Sequence, residues 1–93
     1  MQITEVQIIP VKPHDGLIAF ASIVVDECFF LSSIGIHKKL TGGLRLTYPT
    51  KDVGHRPLNI FHPINQQTSK LIEEVIFNQC KKVMNSDDRY SSS

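Results

Sequence analysis

Two hydrophobic periods divide this chain, and the place where one gives way to the other limits what it can fold into. From Ile3 to Phe61 apolar residues alternate with polar ones in short runs, the spacing of half-buried strands. From Asn65 to about Met84 they recur at steps of three and four, the spacing of one helix face. Strands first and a helix last is the segregated α+β pattern; alternating βα units and a parallel sheet are disfavoured. The spacing predicts an antiparallel sheet of about five strands followed by one C-terminal amphipathic helix.

The first strand, Ile3 to Val11, sets Val6 and Ile8 against Glu5 and Gln7. Pro10 and Pro13 assign it to a sheet edge or a strand end, because proline cannot donate to a ladder. His14-Asp15-Gly16 makes a turn. Leu17 to Val25 is apolar on both faces and reads as the central strand. Asp26 and Glu27 break the run before Cys28-Phe29-Phe30-Leu31, so a hairpin is expected, with its second strand reaching about His37. Lys38 to Gly43 forms a polar turn, and Leu44, Leu46 and Tyr48 then alternate with Arg45 and Thr47. The stretch from Pro49 to Pro57 reads as an exposed loop, after which Leu58 to Phe61 returns to the sheet.

On the helix, Leu71, Ile72, Val75, Ile76, Cys80, Val83 and Met84 form one stripe, and Asn65 is placed to cap the first turn. Residues 1–84 then make one domain, and Asn85 to Ser93 a polar, disordered tail. At 93 residues the chain is one domain's length. A domain this small buries only about 60–70% of its unfolded surface, so contacts between copies would add to a thin core.

Ten Lys plus Arg against nine Asp plus Glu leave a formal charge of +1, so no global field draws the molecule to polyanions. Any nucleic-acid site must come from local clustering. Cys28 and Cys80 have no CxxC or metal-type spacing and read as buried free thiols. His14, His37, His55 and His62 are scattered with no partner three or four positions away, which argues against zinc. No serine sits in a GxSxG elbow and neither cysteine has a Cys-His context, so the expectation is no enzyme. The opening MQITEVQIIPV lacks the features of a signal peptide, and no apolar run reaches about 18 residues, which places the chain in the cytoplasm.

Three stretches carry a resemblance in their order and spacing: Ala21 to Phe30, Gly43-Leu44-Arg45-Leu46-Thr47-Tyr48-Pro49-Thr50-Lys51, and His62-Pro63-Ile64-Asn65 ahead of the helix. Together, over about Ile3 to Val83, the chain resembles the stage V sporulation protein G (SpoVG, septation regulator) family. That resemblance implies a homodimeric bacterial regulator that binds DNA, and in some cases RNA, with no cofactor and no catalytic residue. Two places depart from the family pattern. Adjacent bases after the fourth strand become Thr50-Lys51-Asp52, and the third strand, Ser32-Ser33-Ile34-Gly35-Ile36, lacks an arginine.

The candidate nucleic-acid-binding residues are Lys51, Arg56, Lys38, Lys39 and Arg45. The resemblance favours Lys51 and Arg56, whose loop is basic in the family; Lys38 and Lys39 rest on charge alone, and Arg45 on an outward strand position. Lys81 and Lys82 suit the negative end of the helix dipole better than a phosphate. His62 is expected to bond backbone near the helix start. Phe29, Phe30 and Phe61 could stack bases, but their apolar neighbours assign them to the core or a dimer interface. The expected function is sequence-tolerant nucleic-acid binding by a homodimer. Its rival is a dimeric protein-interaction module on the same scaffold with little nucleic-acid affinity.

Overall fold

The computed structural model describes residues 1–91, with side chains described through Met84. Four strands, β1 (Ile3–His14), β2 (Leu17–Val25), β3 (Phe29–Lys38) and β4 (Leu44–Thr47), form an antiparallel sheet in the order β1-β2-β3-β4. A separate hairpin pairs β5 (Thr50–Val53) with β6 (Arg56–Asn59), and α1 (Gln66–Ser91) follows. The fold is α+β, as the two periods require. The expected tail over residues 85–93 lies outside the residues whose side chains are described.

Short turns hold the meander in register. At the β1–β2 turn Asp15 (φ 51°) and Gly16 (φ 89°) both occupy the left-handed region, with His14 paired to Leu17. Positive φ at both central residues matches the right-handed twist of the flanking strands, and Asp-Gly adopts it readily. Between β2 and β3 the same device is built without glycine: Asp26 (φ 53°) and Glu27 (φ 55°) are both left-handed, and the Cys28 amide donates to the Val25 carbonyl at 3.0 Å. Asp26 is further tied to the chain's start, its carboxylate accepting from the Gln2 amide at 2.7 Å while its own amide donates to the Gln2 carbonyl at 2.7 Å.

The core lies on one face of the sheet. Ala19, Ala21, Ile23 and Val25 of β2 and Ile34 and Ile36 of β3 are buried beneath Ile72, Ile76 and Cys80 of the helix. Those helical residues are four apart, one above another on a single face. The two alanines on β2 leave room for the helix, and the isoleucines around them fill the gaps. Asn65 caps α1 as expected, its side-chain oxygen accepting from the Thr68 amide at 2.7 Å. Pro10 lies on an edge strand, since β1 pairs with β2 alone.

Three expectations need correcting. Pro49 to Pro57 is not a loop throughout, because Thr50–Val53 pairs with Arg56–Asn59 across a turn at Gly54 (φ 66°). The residues after Pro57 therefore join β5 instead of the main sheet, which ends at β4. Cys28 is exposed beside the β2–β3 turn, whereas Cys80 is buried and its thiol pKa is pushed up by that burial. Of the core and dimer-interface readings of the phenylalanines, the 65% and 66% exposure of Phe29 and Phe30 removes the core alone, while Phe61 is half-buried and packs edge-on against Tyr48 at 6.0 Å between ring centres. Helix α1 covers one face of the sheet, and among the described residues none lies over the apolar residues of the other.

Two outcomes follow from this packing. Ile76→Ala removes a fully buried side chain from the helix–sheet seam and should cost about 2–5 kcal/mol, read as a lower urea midpoint with an unchanged slope. Glu27→Gly replaces a left-handed glutamate with the residue that adopts that conformation freely. Relief of strain outweighs the extra unfolded-state entropy, so thermal denaturation should show a gain of about 0.5–1 kcal/mol.

Candidate nucleic-acid interface

All five candidate cations are exposed, and the fold sorts them into two groups. Lys51 and Arg56 sit on the β5–β6 hairpin. Lys51 is paired with Leu58, and Val53 with Arg56. Paired residues share a side and alternate residues repeat it, so Lys51, Val53, Arg56 and Leu58 occupy one face. Lys51 and Arg56 are diagonal neighbours there, with backbones about 7–8 Å apart. Two bases at that spacing can meet adjacent phosphates of one strand. Asp52 points to the other side of the hairpin, with Pro57 as its pair.

The second group stands at the opposite end of β3. Lys38, Lys39 and Arg45 border a shallow depression of about 640 Å³ together with Asp15 and Thr41. The β3–β4 turn that carries the lysines is fixed by main-chain bonds, from the Lys39 amide to the Gly43 carbonyl at 3.0 Å and from the Gly42 amide back to the Lys39 carbonyl at 3.1 Å. The Lys38 amide donates to the Gly16 carbonyl at 2.8 Å, which locks this turn to the β1–β2 turn and brings Asp15 in with it. An acid among three bases weakens the local field, so this group is the poorer anion site.

Arg45 belongs to the sheet face opposite the helix. It is paired with His37, and Gly35 with Thr47. A side chain at Gly35 would meet the Thr47 hydroxyl at 2.5 Å and His37 Nε2 at 3.0 Å, so His37 and Thr47 close over the glycine and bond to each other at 2.9 Å. Burial, and then the neighbouring Arg45 charge, hold the His37 pKa below its usual value. His37 Nδ1 is buried with no partner, so a second ring proton would have nowhere to donate. Tyr48, on the helix side, is pushed up to about 12 by burial and by Glu73.

Other sequence readings resolve as follows. His62 Nδ1 donates to the Pro63 carbonyl at 3.1 Å, next to the helix start, as expected. Among the described residues no three His, Cys, Asp or Glu side chains converge on a point, and no helix is long and apolar enough to cross a membrane. Sequence reasoning missed the open sheet face, where Ile9, Phe20 and Phe30 are exposed beside Gln7 and Ser32. The signal was present in β2, which is apolar on both faces while the sequence offers one helix stripe to cover them.

A four-stranded antiparallel meander with a capped helix on one face and a basic hairpin beside it defines a small α+β domain with one sheet face free. The sequence profile of the SpoVG family matches residues 1–82, and the chain belongs to that family. It is similar to a septation protein SpoVG of Bdellovibrio bacteriovorus, 37% identical over 92% of this chain and 79% of the relative. A namesake from Myxococcus xanthus is 34% identical over 82% of this chain and 76% of its own length. The second SpoVG of Listeria monocytogenes is 33% identical over 89% of this chain and 81% of its own. These relatives are named for septation, and the names carry no reaction.

The His37 geometry sets a pH dependence. As pH falls below about 6.5 the unfolded chain takes up a proton at this position before the folded one does, because the folded pKa is lowered. Stability from His37 is therefore full above the unfolded pKa and is lost as pH drops through the window down to the folded value. Melting curves at steps between about pH 7 and 5 should fall more steeply for the parent than for His37→Gln, and parallel curves would refute it.

Proposed function

We propose that this septation-family protein binds nucleic acid as a homodimer, gripping phosphates with Lys51 and Arg56, and regulates gene expression or septation through that binding. The observation that carries the reading is the shared, exposed face of Lys51 and Arg56 on a hairpin that stands apart from the core. Two side chains free of structural duty and aimed the same way form a local cationic field that a net charge of +1 does not supply. DNA is the expected ligand, with RNA a further one, as the family resemblance implies. Lys38, Lys39 and Arg45 extend the contact, and the described residues include no helix with Arg, Asn or Gln arrayed for base edges, so sequence selectivity is weak.

The homodimer is supported by the β1 edge. Residues from Ile3 to Ile9 precede the first proline and offer an unpaired row of main-chain donors and acceptors, the kind of edge that pairs with another strand. Antiparallel pairing of two β1 edges about a two-fold axis gives an eight-stranded sheet with both free faces on the same side. Two hairpins then act on one polyanion, and their affinities combine through effective concentration.

Four hairpin cations per dimer contribute roughly 0.9 each to the salt dependence on duplex DNA, a slope of about 3–4. Lys51→Glu with Arg56→Glu should abolish retention at low salt, or flatten log Kd against log salt by at least that amount, in titrations at about 50 and 200 mM. Sedimentation should give twice the 10.5 kDa chain mass for parent and variant alike. Unchanged DNA affinity in the charge-reversed dimer would move the phosphate contact off the hairpin, and a parent that binds no DNA at low salt would shift the function to protein interaction.

A further inference from the structure

The sheet face turned away from the helix is built in rows that cross the strands. Glu5, Val24 and Phe30 form one row, Gln7 and Ser22 the next, and Ile9, Phe20, Gly35 and Thr47 the third; His37 and Arg45 follow. Where Gln7 and Ser22 would meet β3, the register shifts around Ser33, which is left-handed at φ 63°. That bulge separates Phe30 from Gly35 and leaves a shallow depression of about 290 Å³ with Phe20 and Phe30 on its walls and Ser22 in its floor. Phe20 is 37% exposed and Phe30 66%, both anchored on sheet strands, so their positions are set by the main-chain ladder.

We propose that this face is a stacking platform for single-stranded nucleic acid, with Phe20 and Phe30 each receiving a base and cations at both ends holding the phosphates. The proposal rests on the nucleic-acid reading above and gives it a ligand class. Exposed aromatic rings offer flat faces that any unpaired base can cover, and the open face of a four-stranded sheet serves this purpose in other RNA-binding folds. The Gln7 amide and the hydroxyls of Ser22 and Ser32 stand between the rings, where base edges would need donors and acceptors.

Charge follows the same line. Arg45 lies on this face one row beyond Phe20. At the other end Phe30 also borders a second depression with Pro49 and Ile60, the two residues whose main-chain bond of 3.0 Å closes the foot of the hairpin bearing Lys51 and Arg56. Glu5, beside Val24, is the acid among the rows. A strand laid from Arg45 across Phe20 and Phe30 to the hairpin would thus meet cations at its ends and rings between them.

Spacing selects single strands. Phe30 is paired with Val24, four residues along β2 from Phe20, so the rings are rooted about 13 Å apart along the strands. Bases in a stacked strand rise about 3.4 Å each, so the bases taken by the two rings cannot lie directly on each other. A duplex shows only base edges and has no free faces to give.

The test compares labelled oligo(dT) and oligo(U) of about twelve nucleotides with a duplex of the same length, by fluorescence anisotropy on the full chain. Phe20→Leu with Phe30→Leu keeps apolar volume and removes both rings. It should weaken single-strand binding roughly tenfold or more, leave duplex binding and mass unchanged, and Phe30→Tyr should retain parental affinity. Phe30→Ala, at a largely exposed position, provides a second variant whose folding is checked by its melting curve. Parental single-strand affinity in both folded variants would overturn the platform while leaving phosphate contact by Lys51 and Arg56 intact. A halved mass in the leucine variant would assign the face to a second copy and also overturn it. Failure of the parent to bind either probe would remove the nucleic-acid reading itself.

Discussion

The burial of Ile72, Ile76 and Cys80 against β2 and β3 is the contact on which the remaining structure depends. Among the described residues one helix stripe supplies the apolar surface that covers the sheet, and it covers a single face. The small Ala19 and Ala21 side chains bring the helix close, and surrounding Ile23, Ile34 and Ile36 then reach full burial. Stability of a domain this small is a narrow difference between large terms, so little can be moved from this seam to anything else. The opposite face stays open as a direct result, and Phe20 and Phe30 remain exposed on it.

The same limitation explains the hairpin. After Thr47 the chain must travel from the sheet to the start of α1, and residues 50 to 59 do so as a two-stranded ribbon that is exposed throughout. The Pro49–Ile60 bond closes its foot. A ribbon with no core of its own is held by main-chain pairing and by the turn at Gly54, which leaves its side chains free for other use. Lys51 and Arg56 occur in the part of the molecule least occupied with staying folded, where function is usually carried.

Much of this was legible in the chain. The change of period located the helix, Asn65 its cap, Pro10 an edge strand, and Asp15-Gly16 and Asp26-Glu27 their hairpins, because each is decided by residues near in sequence. The ribbon was not legible, since burial patterning reveals a strand only when one of its sides is buried, and neither side of Thr50–Val53 is. For Phe29 and Phe30 the core half of the expectation failed for a related reason. Apolar content marks what a core would accept, but the number of faces that can be covered depends on how many helices are at hand, and the described residues form one.

Of the five candidate cations, the two favoured by resemblance are brought together by the β5–β6 register, whereas Lys38 and Lys39 stand with Arg45 beside Asp15. Arg45 nevertheless belongs to the aromatic face through its pairing with His37. The His37 pKa is held low by burial and by Arg45, and its ring bonds Thr47 over Gly35. The charge at that end of the face comes from Arg45 with Lys38 and Lys39 beside it and Asp15 set against them. An anion held there would meet three bases and one acid, a weaker field than the hairpin face presents, where Asp52 points to the other side.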